Sequence, residues 1–277
     1  MITKAVLPVA GLGTRVMPLT LHQPKGMIAI ADKPMVHYVI DELIAAGIKE
    51  IILVVGPKQQ SFKKYLNYLK QDKNWQSMKF RFIKQEKLLG NGAAVLLAKK
   101  FIKPAEMFLV AFCDELFVGA PPVLIQMLTL ANQLNQTVVL TRKVPKQLVS
   151  RYGVLRFGRR RAGKFFSISG IVEKPEPDQA PSNFIIPGRY VLPFTLFDYL
   201  QKLYPPPSDQ ELYLTDALNL YLKDKHRMWG VNFTGLRFDC GSKQGLLAAQ
   251  LFFTSHHPDI KSQSKRYSPL KNPKKLI

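Results

Sequence analysis

The sequence predicts an α/β fold: a Rossmann-like, doubly wound, mixed but mostly parallel sheet with helices on both faces. Three observations carry this reading. Short apolar runs without polar alternation recur along the chain, as strands buried on both faces do. Segments with apolar residues at helical spacing lie between them, so strand and helix alternate. A Gly-rich loop follows the first run and an aspartate the fourth; right-handed crossovers gather such strand ends on one edge, where ligands bind.

Each element has its own signal. Lys4 to Val9 is a buried strand that runs into Ala10-Gly11-Leu12-Gly13. Over 34–46, Met35, Val36, Val39, Ile40, Leu43 and Ile44 fall on one helical face, and Gly47 stops the helix. Ile51 to Val55 is the second strand, followed by a polar helix over 58–71, and Phe80 to Ile83 is the third. A helix over 90–100 starts behind Gly90-Asn91-Gly92, and the fourth strand, Met107 to Phe112, leads to Asp114. A helix over 122–134 and a strand, Thr137 to Thr141, end this half.

The second half changes character and makes the sheet mixed. Tyr152 to Phe157 and Phe165 to Val172 read as a hairpin with Arg159, Arg160, Arg161 and Lys164 at its tip. Gly188 to Leu192 is a strand, with helices near 194–203 and 212–223; a strand region over 231–239 and a helix over 242–253 follow. Asp216 reads as a first-turn residue of its helix, with Thr215 or a neighbour as the cap. One domain over 1–257 is expected, then a flexible basic tail over 258–277 that has no periodicity and carries Pro258, Pro269 and Pro273.

Composition narrows the class. Of 277 residues, 47% are hydrophobic and 21% charged, ordinary globular usage that excludes a disordered chain, a collagen and a disulfide scaffold. The two cysteines, Cys113 and Cys240, form no CxxC pair and read as buried thiols of a reducing compartment. No run approaches the roughly 20 apolar residues that span a bilayer, and the N-terminus has no secretory pattern. A cytoplasmic protein without membrane partners is expected. The net charge of +21 attracts polyanions. With little aromatic–basic interleaving, the basic runs read as solvated surface, and nucleic acid is not expected as a partner.

The first loop carries the chemistry. In Gly11-Leu12-Gly13-Thr14-Arg15 two glycines let backbone N–H groups approach an anion. Val16 stands where a dinucleotide fingerprint needs its third glycine, and no Walker motif is present. Arg15 in the loop and Lys25 ten residues on add two cations, a set suited to a triphosphate.

These segments resemble the bacterial UTP–glucose-1-phosphate uridylyltransferases, within the sugar-1-phosphate nucleotidyltransferase family. The matching residues are Pro8-Val-Ala-Gly-Leu-Gly-Thr-Arg15, Pro24-Lys25, Asp32-Lys-Pro34, Gln85, Gly90-Asn-Gly-Ala-Ala-Val95, Asp114, Glu173-Lys-Pro175, Ala180-Pro-Ser-Asn183, Gly188-Arg-Tyr-Val-Leu192, Leu214-Thr-Asp-Ala217 and Asp239-Cys-Gly-Ser-Lys243. They run in order over about nine tenths of the chain. The resemblance implies a nucleotide-diphospho-sugar transferase fold and transfer of uridylyl from UTP to glucose 1-phosphate, with Mg²⁺ as cofactor. It implies that Arg15 and Lys25 hold the triphosphate and that Lys174 sits on the sugar phosphate. Ala10, Gly11, Gly13, Thr14, Gln85 and Gly90 are implied to bind the nucleotide, and Gly153, Glu173 and Asn183 the sugar. Asp114 and Asp239 are implied to bind the metal. The nucleophile is a phosphate dianion, so no general base is needed, and none to be supplied by His22, His37, His226, His256 or His257.

The chain departs from the family pattern at known places. Pro-Lys-Glu-Met is Pro24-Lys25-Gly26-Met27, Gly-Leu-Gly-His-Ala is Gly90-Asn91-Gly92-Ala93-Ala94, and Pro-Asp-Val is Cys113-Asp114-Glu115. The insert before the third strand, a region that often carries oligomer contacts, is short, which leaves monomer and homo-oligomer both open. Other readings stay open too: the same fold acting on another nucleotide or sugar phosphate, and a polyanion-binding protein. So does a nucleotide-binding pseudoenzyme, in which restoring Glu at position 26 rescues turnover.

Overall fold

The expected strands and helices form with some changes of extent, the helix over 90–100 being α-helical to Leu96 and 3-10 from Leu97, and several small elements join them. The computed structural model describes residues 2–57 and 59–261. The strands are β1 Lys4–Pro8, β2 Ala29–Ile30, β3 Lys33–Pro34, β4 Glu50–Val55, β5 Lys79–Lys84, β6 Met107–Ala111 and β7 Glu115–Val118. They continue as β8 Thr137–Lys143, β9 Gly153–Ala162, β10 Phe165–Glu173, β11 Phe184–Ile185, β12 Arg189–Pro193, β13 Met228–Asn232 and β14 Leu236–Asp239. The helices are α1 Met35–Ala45, α2 Gln59–Leu69, α3 Lys73–Gln76, α4 Asn91–Leu96, α5 Val123–Leu134, α6 Leu196–Lys202, α7 Leu214–Lys223, α8 Lys243–Ser255 and α9 Pro258–Lys261.

Ten strands make one sheet in the order β11-β9-β10-β13-β8-β12-β6-β1-β4-β5. Seven run in one direction; β10, β11 and β12 run against them. Alternate residues of the central strands enter two separate cores. Leu7, Leu53 and Leu109 pack with α1, α2, α5 and α8, while Val6, Ile52 and Val110 pack with α4, α6 and α7. This two-sided burial is why these strands read as unbroken apolar runs.

Three readings need correction. Residues 231–239 form not one strand but parts of two. Gly235, at φ 144, turns the chain where a Cβ would lie 2.4 Å from the Val118 carbonyl oxygen, and β14 pairs with β7 in a separate antiparallel ribbon. The arginines Arg159 to Arg161 lie on the exposed end of β9. The tip itself is Gly163-Lys164, with Gly163 at φ 59 in the first turn position, where a type II′ hairpin takes glycine. The segment expected to be flexible from 258 opens with α9, while 262–277 lie outside the described residues.

Candidate active site

β1 delivers the glycine loop to the sheet's carboxyl edge. At Gly11 nothing lies within 4 Å of a Cβ position, so the backbone there faces open space. Gly13 adopts φ 66, and its carbonyl accepts a hydrogen bond from Thr20 Oγ1 at 3.0 Å. A Cβ on Gly13 would press Thr20 and Lys25, at 2.8 and 3.1 Å, so glycine is required for both turn and packing. Ala10, Gly11, Gly13, Thr14 and Arg15 line a hollow of about 530 Å³.

Opposite the loop lies a charged centre. Lys25 Nζ is 2.5 Å from Asp114 Oδ2, and each side chain is only 17% exposed. Burial works against the Lys25 charge, but the Asp114 carboxylate outweighs it and raises the lysine pKa. Burial likewise opposes the Asp114 charge, and Lys25 and Arg15 together hold its carboxyl below the usual carboxylate range. The β7–β14 ribbon brings the second aspartate alongside, with Asp239 opposite Glu115 in register and the Cys240 N–H donating to the Asp114 carbonyl at 2.8 Å. The three groups meet at Gly241. A Cβ there would lie 2.7 Å from Asp114 Oδ2, 2.9 Å from Arg15 Nη2 and 3.0 Å from Asp239 Oδ1. Two carboxylate oxygens facing one small space suit a hard divalent cation such as Mg²⁺, which binds through one or two carboxylates and completes its shell with waters and substrate phosphates. The residues present fit that group.

Asp239 is held firmly. Its Oδ2 accepts the Tyr152 hydroxyl at 2.5 Å and its Oδ1 the Gly241 N–H at 3.0 Å. The Arg237 guanidinium lies 4.6 Å from the Tyr152 ring centroid and grips Glu115 through two bonds of 2.7 and 2.5 Å. Burial opposes the charge on Arg237, and Glu115 more than restores it, raising its pKa.

The other wall comes from β9 and β10. Gly153 is opposite Glu173 in register, and a Cβ on it would sit 3.2 Å from Glu173 Oε2. Thr215 donates to that same oxygen at 2.8 Å rather than capping its helix. Burial raises the Glu173 pKa against the pull of Thr215 and Lys174. Lys174 sits at φ 46, uncommon for a residue with a side chain, and its N–H donates to the Tyr152 carbonyl at 2.9 Å. Its ammonium reaches the Tyr213 hydroxyl at 3.0 Å. Asp216 behaves as a first-turn residue, accepting the Tyr213 N–H at 3.0 Å.

The third wall is Gln85 and the start of α4. Gln85 is buried, and its Nε2 donates to the Gly90 carbonyl at 3.2 Å. Gly90, at φ 99, lies where a Cβ would come 2.4 Å from the Leu212 carbonyl oxygen. Asn91 Oδ1 accepts the Leu214 N–H at 2.7 Å and caps α7.

All but one of the site residues expected from the sequence line this hollow. The exception is Asn183, which lines a separate groove with Arg142, Lys143 and Asn232; its carbonyl accepts the Val144 N–H at 2.9 Å. β11 begins one residue later and pairs with β8, Phe184 opposite Lys143, which sets Asn183 beside that strand's end. None of the five histidines lines the hollow.

Sequence reading missed the residues that act through others. Buried Arg189 pairs with Glu42 at 2.7 Å and donates to the carbonyls of Phe112 (2.8 Å), Gly188 (3.1 Å) and Glu115 (2.9 Å). It thereby clamps the turn that presents Asp114. Its signals were an arginine within an apolar strand and its place in the family-matching segment Gly188-Arg-Tyr-Val-Leu192, neither of which gives its role. Tyr152, Tyr213 and Arg237 carried no signal, because their partners are distant in sequence.

A doubly wound sheet whose carboxyl edge joins a glycine loop, a cluster of cations and two facing carboxylates defines an enzyme of phosphate esters. The family model described as Nucleotidyl transferase matches residues 4–256, and the chain belongs to that family. Among its relatives is the UTP–glucose-1-phosphate uridylyltransferase of Streptococcus pyogenes, 32% identical over 286 residues, covering 96% of this chain and 93% of that protein. A UDP-glucose pyrophosphorylase solved with UDP-glucose superposes with a TM-score of 0.86 at 33% identity, covering 93% of this chain and all of that one. The UTP-bound enzyme of Acinetobacter baumannii gives 0.82 at 33%, covering 96% and 98%. Among the described residues no helix is long and apolar enough to cross a membrane.

Proposed function

We propose that this protein transfers uridylyl from UTP to glucose 1-phosphate, releasing pyrophosphate and forming UDP-glucose. The observation that carries this reading is the meeting of Arg15, Asp114 and Asp239 around Gly241, with Lys25 on Asp114 and Lys174 and Glu173 across the same hollow.

The chemistry asks for alignment and charge neutralisation. An oxygen of the sugar phosphate forms a bond to the α-phosphorus, the bond to the β-phosphate oxygen breaks in line, and pyrophosphate leaves with the electron pair. The nucleophile is a dianion above its second pKa, near 6, so no side chain need remove a proton. Arg15 and Lys25 bind the triphosphate and offset charge on the departing pyrophosphate. Backbone N–H groups of the glycine loop orient the phosphates, and Gln85, with the backbone at Ala10 and Gly90, faces the base. Lys174 takes the sugar phosphate; Glu173 and the bare Gly153 receive the sugar hydroxyls.

Nucleotidyltransferases of this family generally use a divalent metal. We take it here as Mg²⁺, held by Asp114 and Asp239, supplying positive charge to the phosphate oxygens. A single domain over 1–257 and work in the cytoplasm, where UTP and sugar phosphates are found, complete the proposal. Pyrophosphate release with four nucleoside triphosphates and glucose 1-phosphate tests it. UTP should lead; equal rates with all four, or preference for another, would overturn the uridylyl assignment.

A further inference from the structure

We propose that Tyr152 is a positioning residue that aims the Asp239 carboxylate at Asp114; this rests on reading that aspartate pair as the metal site. The argument is geometric. Tyr152 ends the turn before β9 and has no charge of its own to offer a substrate. Its hydroxyl gives its hydrogen to Asp239 Oδ2 at 2.5 Å, which leaves Oδ1 as the oxygen that faces Asp114 across Gly241. Among the described residues the other donor to that carboxylate is the Gly241 N–H, at 3.0 Å on the Oδ1 side. Without the phenol, Asp239 is pinned from one side and free to turn about its carboxylate bond.

The phenol is itself fixed. Arg237 lies against the ring face at 4.6 Å, and Glu115 holds Arg237 through two bonds, on a strand paired in register with that of Asp239. The Tyr152 backbone contributes separately: its carbonyl accepts the Lys174 N–H at 2.9 Å and steadies that lysine's left-handed backbone. One residue therefore reaches the carboxylate pair with its side chain and the sugar-phosphate wall with its main chain. Only the first link depends on the hydroxyl, so Tyr152→Phe separates the two. Partners in this outer position typically change metal affinity or activity about 10–100-fold.

The test measures Mn²⁺ affinity by electron paramagnetic resonance in the presence of α,β-methylene-UTP, for wild type, Tyr152→Phe and Asp239→Asn. Nucleotide affinity in EDTA serves as the check of an intact fold. Tyr152→Phe should weaken Mn²⁺ binding about tenfold or more and leave the KM for glucose 1-phosphate within twofold, because the Lys174 backbone bond survives. A purely structural role would lower kcat and raise both KM values without a selective change in metal affinity, and that pattern would overturn the proposal. Unchanged Mn²⁺ affinity in Tyr152→Phe beside a weakened Asp239→Asn would overturn it while leaving the metal pair intact. Unchanged affinity in Asp239→Asn would overturn the metal reading and this inference together.

Discussion

Lys25 Nζ lies 2.5 Å from Asp114 Oδ2, joining the residue meant for the triphosphate to the residue meant for the metal. Each is the other's counter-charge while no substrate is bound. Triphosphate and cation would each replace one partner, so the hollow need not hold an uncompensated charge in either state. Lys25→Met removes that cover. Because Lys25 depresses the Asp114 pKa, the aspartate's contribution in the wild type is complete above its unfolded value, about 3.9, and fades as pH falls through the lower folded value. In the variant burial dominates and the carboxyl titrates higher. Thermal unfolding should show a loss of about 3 kcal/mol at pH 7 that shrinks toward pH 4. A pH-independent gap would contradict the pairing.

Asp114→Asn keeps the shape of the turn and removes a negative oxygen. The uridylyl-transfer rate should fall at least about a hundredfold, roughly 2.7 kcal/mol of barrier, at saturating substrates. Turnover within threefold of wild type would remove Asp114 from the reaction.

Glu173 carries a raised pKa, caused first by burial. Its contribution to stability is therefore full below the unfolded value, near 4.3, and is lost as pH rises through the folded one. Glu173→Gln should unfold no earlier than wild type at pH 7, and later if the charge is costly. It should also raise the KM for glucose 1-phosphate, since a carboxylate acceptor is replaced by a neutral amide. A less stable variant with unchanged KM would refute both roles.

Restoring the family's glutamate at position 26 should fail, against the rescue that the pseudoenzyme alternative calls for. A Cβ on Gly26 would already lie 3.2 Å from the Phe62 ring and 3.3 Å from Cys113 Sγ, so the chain has filled that space with apolar atoms. Gly26→Glu should cost about 1–3 kcal/mol by overpacking and gain no turnover. A more active and equally stable variant would show that Phe62 yields.

Arg189→Leu should cost about 3–5 kcal/mol, because Glu42 and the carbonyls of Phe112 and Glu115 lose the guanidinium together, while the Gly188 carbonyl keeps the Phe112 N–H at 2.9 Å. Arg189→Lys keeps the charge but cannot reach all four acceptors, so it should also unfold early in denaturant titrations. Wild-type stability in Arg189→Lys would mean that the fork is unimportant.

Much of this was legible in the sequence because strands buried on both faces write themselves as apolar runs, and because Gly11 and Gly13 follow a strand directly and Lys174 and the two aspartates sit at strand ends. The β7–β14 ribbon was not legible. Each strand has four residues, and what separates β14 from β13 is one glycine at positive φ. That ribbon sets Asp239 beside Asp114, so the sequence named both aspartates without the reason they meet. Thr215 misled for a related reason: a hydroxyl at a helix start reads as a cap, while its bond to Glu173 spans 42 residues. Asn183 was misplaced because nothing local signals that β11 pairs with β8.

The most direct test is phosphorus NMR of the full chain mixed with UTP, glucose 1-phosphate and Mg²⁺. Pyrophosphate and UDP-glucose resonances should grow at equal rates as UTP declines, and should stay absent when glucose 1-phosphate is left out. Folded protein that leaves all three phosphorus signals of UTP unchanged would contradict the account.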